Sequence, residues 1–222
     1  MIAHIIGTDT SIGKTHISCE ILKRLGNSSI KAMGLKPIAS GVTNINGNML
    51  NEDAYKLWQA SHTDATLSMV NPISFTDAIA PHIAAKNEAF TLDVATVIEK
   101  SQAIINGSNM ETIIIEGIGG LMTPLNQTQT YLDLLLQWQY PVILIIGMKL
   151  GCLNHSLLTY DTLIRHGISV IGYVANQIDE GMLYSMENLD YLKQKFNIPL
   201  LGYCGFKQNL QVTPFFTEIF KC

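Results

Sequence analysis

The chain lacks the features of a nucleic-acid-binding, membrane-spanning or disulfide-stapled protein. Its 222 residues carry a net charge of −4 with the charges dispersed, so no basic cluster exists to neutralise a phosphate backbone. Four cysteines (Cys19, Cys152, Cys204 and Cys222) form neither a C-x-x-C pair nor a disulfide framework, and they read as buried or incidental thiols. The longest apolar stretch, residues 142–148, falls far short of the roughly 20 residues of a membrane helix. The first residues lack the basic region and cleavage site of a secretory leader, so a cytoplasmic location is expected. No repeat, low-complexity segment or shift of composition divides the chain. Residues 1–222 are therefore expected to form one α/β domain.

What is present begins at the N-terminus. The apolar run Ala3-His4-Ile5-Ile6 is followed directly by Gly7-Thr8-Asp9-Thr10-Ser11-Ile12-Gly13-Lys14-Thr15. A strand, a turn ending in Gly-Lys-Thr and a helix supply what a triphosphate needs. Backbone N–H groups at a helix N-terminus face the phosphate oxygens, and the helix dipole favours their charge. Lys14 can reach the terminal phosphates and the Thr15 hydroxyl can ligate magnesium. The usual first glycine of the motif would fall at position 8, where this chain has Thr8; Gly7 stands one place earlier.

Beyond this loop the chain alternates strands and helices. Residues 3–6, 31–35, 112–116, 142–146, 168–175 and 200–203 read as strands, the third and fourth apolar on both faces as buried parallel strands are. Helices are expected at 14–25, 53–60, 91–106 (capped by Thr91, with Gly107 beyond its end), 154–166, 183–196 and 214–220. The stretch 41–51, rich in Asn and Gly, reads as a polar loop. The pattern predicts a doubly wound, mostly parallel sheet flanked by helices, with ligands outside the carboxyl ends of its strands. Those ends carry the phosphate loop, then Lys36-Pro37-Ile38-Ala39-Ser40-Gly41, Glu116-Gly117-Ile118-Gly119-Gly120 and Val174-Ala175-Asn176. Lys36 also fits a solvated residue before a proline turn, and Asn176 a cap. Glu116 is harder to dismiss, because a carboxylate closing Ile113-Ile114-Ile115 is costly to bury unpaired; magnesium is a natural partner for it and for Asp53.

Taken together these elements resemble the dethiobiotin synthetase family. The G-T-D-T-x-x-G-K-T loop, Lys36-Pro37-x-x-Ser40-Gly41, Asn51-x-Asp53-Ala54, Ala80-Pro81-His82 and Glu116-Gly117-x-Gly119-Gly120 match it in order, as do Lys149-Leu150-Gly151-Cys152-Leu153-Asn154-His155 and Val174-Ala175-Asn176. The likeness runs from Gly7 to Gly202 and is broken after it. Cys204-Gly205-Phe206-Lys207 stands where the family tends to carry a proline-containing turn near the adenine, and Ile118 is bulkier than the family's alanine.

The resemblance implies a phosphate-loop NTPase-like fold and an ATP- and Mg2+-dependent cyclo-ligase. In it 7,8-diaminononanoate captures CO2 as a carbamate, ATP phosphorylates the carbamate, and the second amine closes the urea. It implies that Lys14 and Lys36 stabilise transferring charge, and that Thr15, Asp53 and Glu116 hold magnesium. Nucleotide contacts would come from Ser11, Ile12, Gly13, Lys14, Thr15 and His16, from Asp53, Glu116, Gly117, Ile118 and Gly119, and from Asn176, Gln177, Gly205, Phe206 and Lys207. Thr10 and Ser40 would bind the carbamate or diamine. Asn154, which also reads as a cap of the helix it precedes, would anchor the substrate carboxylate across a homodimer interface. His82 and His155 read as structural. The alternatives are another phosphate-loop ATPase or a non-catalytic nucleotide-binding regulator of related fold. Partition-type ATPases carry a second lysine early in the loop, which neither Asp9 nor Thr10 supplies.

Overall fold

Residues 1–221 are described by the computed structural model; Cys222 lies outside the described residues. In chain order, β1 (Ile2–Gly7) leads through the phosphate loop into α1 (Lys14–Asn27) and β2 (Ala32–Leu35). A segment over the strand ends then holds β3 (Ile38–Ser40), β4 (Thr43–Ile45), β5 (Asn48–Leu50), α2 (Glu52–Ala60), α3 (Leu67–Val70), β6 (Ile73–Phe75) and α4 (Pro81–Asn87). There follow α5 (Val94–Gly107), β7 (Thr112–Gly120), α6 (Tyr131–Trp138), β8 (Val142–Met148), α7 (Cys152–Arg165), β9 (Val170–Gln177) and α8 (Ser185–Lys195). Finally come β10 (Leu200–Cys204), β11 (Gln211–Val212) and α9 (Pro214–Phe220).

Seven strands form the main sheet in the order β11-β10-β9-β8-β1-β7-β2, parallel except for the β10–β11 pair. The chain leaves β1 toward β2 and leaves β8 toward β9 on the opposite side. Their carboxyl ends therefore flank a switch point, where a doubly wound sheet opens a crevice. Side chains alternate along each strand and feed two cores. Ile5, Ile114, Ile143 and Ile145 pack with Ile17 and Ile21 of α1 and Phe216 of α9. Ile6, Ile113, Ile115, Leu144 and Ile146 pack on the other face with Val97 of α5, Leu134 of α6 and Leu192 of α8. None of the described helices is long and apolar enough to cross a membrane.

Three sequence expectations are corrected. The helix expected at 91–106 begins at Val94, because Asp93 rather than Thr91 accepts the Thr96 N–H, and it runs through Gly107. Leu92 lies outside the helix and is buried, its carbonyl accepting from Asn126 Nδ2. Helix α7 starts at Cys152 behind Gly151 in the left-handed region, so Asn154 lies inside the first turn and caps nothing. The stretch expected as a loop at 41–51 holds the hairpin of β4 and β5, turned at Asn46-Gly47 with φ of 52° and 85°. That is the Asn-Gly pair of a two-residue turn needing positive φ at both positions.

One central group is buried without a hydrogen bond. His4 on β1 is fully inaccessible, neither ring nitrogen has a partner among the described residues, and the ring lies edge-on to Trp138 at 5.2 Å. Burial pulls its pKa from 6.5 down to about 3. An unfolded chain takes up this proton below pH 6.5 while the folded one does not until about pH 3. Ionisation of His4 therefore costs nothing above pH 6.5 and destabilises the fold progressively as the pH falls toward 3, at up to ~1.4 kcal/mol per pH unit. Urea unfolding of His4→Phe between pH 3.5 and 6.5 should show that much less slope than the parent; equal slopes would refute the assignment.

Candidate active site

The phosphate loop is built against the ends of β1 and β8. Thr8 N–H donates to the Ile145 carbonyl at 3.0 Å, and Ile12 is fully buried beneath the loop. The early glycine has a steric reason. A Cβ on Gly7 would stand 2.8 Å from Ile12 Cδ1 and 2.9 Å from Lys14 Cδ, so the Lys14 stem crosses where any side chain at position 7 would lie. Gly13 has φ of 84°, and a Cβ there would stand 2.2 Å from Asn176 Nδ2. That amide donates to the Ile12 carbonyl at 2.7 Å and fixes the loop from β9. Lys14 Nζ donates to the Asp9 carbonyl at 2.9 Å. Its pKa is pushed down to about 8 by burial, a shift that Glu116 opposes and the nearby Lys36 charge reinforces.

Beside the loop lies a buried ion pair. Lys36 Nζ donates to Glu116 Oε1 at 2.6 Å, and Thr15 Oγ1 donates to the same oxygen at 2.7 Å. Asp53 Oδ2, at the start of α2, is 3.5 Å from Lys36 Nζ and half-exposed. Burial opposes the charge on Lys36, but Glu116 and Asp53 outweigh it and hold its pKa above the usual lysine value. Glu116 is 1% exposed, and its Oε2 has no partner among the described residues. An orphaned carboxylate oxygen beside a threonine hydroxyl and a second carboxylate is a hard-oxygen donor set suited to magnesium, which takes one or two carboxylates and keeps waters. The residues fit that ion.

These groups open into one cleft of about 1070 Å³. Of the residues predicted from sequence, Thr10, Ser11, Gly13, Lys14, Thr15, His16, Lys36, Ser40, Asp53, Glu116, Ile118 and Gly119 line it. The Ser40 hydroxyl is buried in its wall without a partner among the described residues. Ile12 and Asn176 support the loop from below, and Gly117 sits inside β7. Gln177 Oε1 accepts from Tyr203 Oη at 2.6 Å, and the Gly205, Phe206 and Lys207 turn follows β10 on that side. Asn154 is exposed on α7 and lies outside the cleft of its own chain.

Three supporting residues escaped the sequence reading of the site. Asp9 Oδ2 accepts from Lys149 Nζ at 2.9 Å while its Oδ1 accepts the Thr10 N–H at 2.7 Å, and the Lys149 bond lowers the Asp9 pKa. The pair ties the front of the phosphate loop to the end of β8. Asn51 caps α2 through the Ala54 N–H and reaches the Ser40 and Gly41 carbonyls with Nδ2, joining the Asp53 and Ser40 walls. A lysine immediately after an apolar strand and an acid inside the loop were the available signals. Nothing local says that they meet.

The sequence matches the model of a family described as an AAA domain over residues 3–211. It is 39% identical over 198 residues to the ATP-dependent dethiobiotin synthetase BioD of Aromatoleum aromaticum, covering 89% of this chain and 87% of that protein. It is 37% identical over 217 residues to the enzyme of the same name from Alteromonas mediterranea, covering 93% of each. Among solved structures it resembles the septum site-determining protein MinD of Pyrococcus horikoshii, complexed with Mg-ADP, at a TM-score of 0.53 and 15% identity, over 91% of this chain and 79% of that one. The cell division protein FtsY of Thermotoga maritima aligns at a TM-score of 0.56 and 14% identity, over 100% of this chain and 68% of that one. These two likenesses concern the fold alone.

Because the Lys36–Glu116 pair is buried, removing one partner should be far worse than removing both. Lys36→Met and Glu116→Leu alone should each lose about 3–5 kcal/mol, and the double variant should be more stable than either single one. Asp53→Asn, half-exposed, should lose less than about 1 kcal/mol. Chemical denaturation of the four variants measures this directly. Additive losses in the double variant would refute the coupling.

Proposed function

The chain belongs to the ATP-dependent dethiobiotin synthetases, C–N ligases of biotin biosynthesis, and we propose that its cleft converts 7,8-diaminononanoate and CO2 to dethiobiotin with ATP as the activating co-substrate. One observation supports this siting above the others. Two buried ammonium groups, Lys14 on the phosphate loop and Lys36 on Glu116, share a single cleft. Their mutual repulsion is relieved by a polyanion lying between them. A triphosphate meeting a carbamate is such a polyanion.

The chemistry follows from the placement. An amine of the substrate adds to CO2 and loses a proton, giving a carbamate whose oxygen faces the Lys36 ammonium and the Ser40 hydroxyl. The carbamate oxygen attacks the terminal phosphorus of ATP in line, and ADP leaves toward the loop, held by the Gly13–Thr15 backbone and Lys14. Negative charge concentrates on the transferring group between the two lysines, so catalysis is positioning plus electrostatics. The second amine then attacks the carbonyl of the mixed anhydride, expelling phosphate and closing the five-membered urea. Thr15, Asp53 and Glu116 would hold Mg2+, which when bound neutralises charge on the terminal phosphates. No side chain need act as a covalent nucleophile; Cys152 is buried packing and burial raises its pKa. The same reading takes residues 1–222 as one catalytic domain, working in the cytoplasm on small molecules rather than on nucleic acid or membrane.

The reading extends to a homodimer. Asn154 faces solvent, as do two apolar residues near it in the chain, Leu158 one turn further along α7 at 60% and Leu150 in the turn before the helix at 93%. A second copy covering these residues would bring Asn154 to the partner's cleft, as the family resemblance implies.

Incorporation of radiolabelled bicarbonate into an acid-stable product, requiring both ATP and the diamine, tests the reaction. Lys14→Ala and Lys36→Ala, checked for fold by circular dichroism, should each lose about a hundredfold or more in turnover, as for removal of a preorganised charge-stabilising donor. Undiminished turnover in either would remove it from the mechanism. The shared site has its own test. Asn154→Ala should raise the KM for the diamine but not for ATP. Mixing it with Lys36→Ala should restore activity, because one site per mixed dimer combines intact residues from both chains. Absence of complementation between subunits shown to exchange would rule the shared site out.

A further inference from the structure

Beside the cleft, where His16 meets the end of β10, lies an arrangement that the chemistry above leaves unused. His16 follows Thr15 in the first turn of α1, and its ring points away from the phosphates toward the end of β10. Nε2 lies 3.3 Å from the Gln208 carbonyl and 3.4 Å from Cys204 Sγ, and the Cys204 thiol donates to the same carbonyl at 2.8 Å. The Gln208 N–H closes a turn on the Gly205 carbonyl at 2.9 Å. The Gln208 side chain packs over Gly205 so closely that a Cβ there would stand 2.5 Å from its Oε1. At the apex Lys207 adopts a positive φ of 53° and lays its ammonium 5.0 Å from the centre of the Phe206 ring. Cys204 is buried, Phe206 half-buried and Lys207 exposed.

The strand order says what this turn faces. The phosphates lie at the start of α1, and their transferring end points to Lys36 and Glu116, on β2 and β7. The nucleoside, at the opposite end of the triphosphate, must extend the other way, over β9 and β10. There Asn176 and Gln177 end one strand and the Gly205–Gln208 turn follows the next. The turn is thus the wall available to the base; among the described residues His16 bonds it to the helix at the phosphate loop, and Arg24 of that helix donates to the Leu210 carbonyl just beyond it.

We infer that the His16 ring is a positioning residue for the nucleotide, clamping the Gly205–Gln208 turn to the phosphate loop so that base and phosphates are held at a fixed spacing. The inference rests on the proposed siting of ATP in this cleft and adds to it the role of the ring. With the Nε2 proton donated to Gln208, the carbonyl accepts from ring and thiol together, and Phe206 is held as an apolar face beside the base. Loss of the ring leaves the thiol bond and the Arg24–Leu210 contact but frees the Gly205–Gln208 turn itself to shift away from the start of α1.

Steady-state kinetics on four proteins decide it. His16→Ala should raise the KM for ATP about five- to tenfold, with kcat and the KM for the diamine within about twofold. His16→Gln, whose amide can still donate near the position of Nε2, should recover most of the loss. Phe206→Ala should raise the KM for ATP as well. A change in Phe206→Ala with none in His16→Ala would overturn the clamp and leave the base wall standing. No change in either would overturn the siting of the base and the clamp with it. A rise in both substrates' KM accompanied by a lowered Tm in His16→Ala, unrescued by His16→Gln, would reduce the ring to a structural role and likewise overturn the inference.

Discussion

The site is organised by a carboxylate that cannot be left alone. Glu116 is buried on β7, the strand beside the β2 edge, with one oxygen shared by Lys36 and Thr15. Parallel pairing makes the meeting unavoidable. Leu35 is in register with Ile115, so the next residues, Lys36 and Glu116, emerge side by side, while Ile5 pairs with Glu116 and sets the start of the phosphate loop above it. Desolvating such a pair costs several kcal/mol per ion, which its mutual attraction rarely exceeds by much, and an apolar pair of similar volume is commonly at least as stable. Stability alone therefore gives no reason for it. The pair makes sense as a held ammonium facing the cleft and a carboxylate with one oxygen to spare for a cation.

From that fixed point the sheet spreads the work along its carboxyl edge. β2 and β7 bring up Lys36 and Glu116, with the Ser40 wall stitched on by Asn51. β1 and β8 hold the phosphate loop, braced by the Lys149–Asp9 pair and by the Asn176 amide. β9 and β10 end in Asn176, Gln177 and the Gly205–Gln208 turn. In the proposed siting of ATP, the order β10-β9-β8-β1-β7-β2 lays nucleoside, phosphates and acceptor out along one edge.

Much of this was legible in the sequence, for identifiable reasons. Buried parallel strands are apolar on both faces, so β7 and β8 stood out, and polar residues closing such runs marked the site. Lys36 and Glu116 stand out in that way, Lys14 and Thr15 through the phosphate-loop motif and Asp53 as a partner for magnesium, and the structure brings the five together. Other features depended on geometry that local sequence does not carry. Asp9 and Lys149 are 140 residues apart and meet only because β1 and β8 are neighbours. The hairpin of β4 and β5 was hidden by its polar composition, although Asn46-Gly47 was its turn signal. Thr91 offers a cap two residues too early: Leu92 is buried ahead of the helix, and the extended Asp93 takes the role.

The two ends of the cleft also tolerate change differently. At the acceptor end Lys36 and Glu116 are each other's buried partner, so altering one strands the other, and in the proposed mechanism the loss falls on the transition state where charge is greatest. The turn after β10 is partly exposed, and in the proposed siting its contacts act on the base alike before and during phosphoryl transfer. Such uniform binding sets affinity, not the chemical rate. Cys204-Gly205-Phe206-Lys207 can therefore depart from the family's pattern without disturbing the chemistry, provided the new turn is anchored. The bonds from Cys204 and His16 to the Gln208 carbonyl supply that anchor, in the place where a proline would have stiffened the chain.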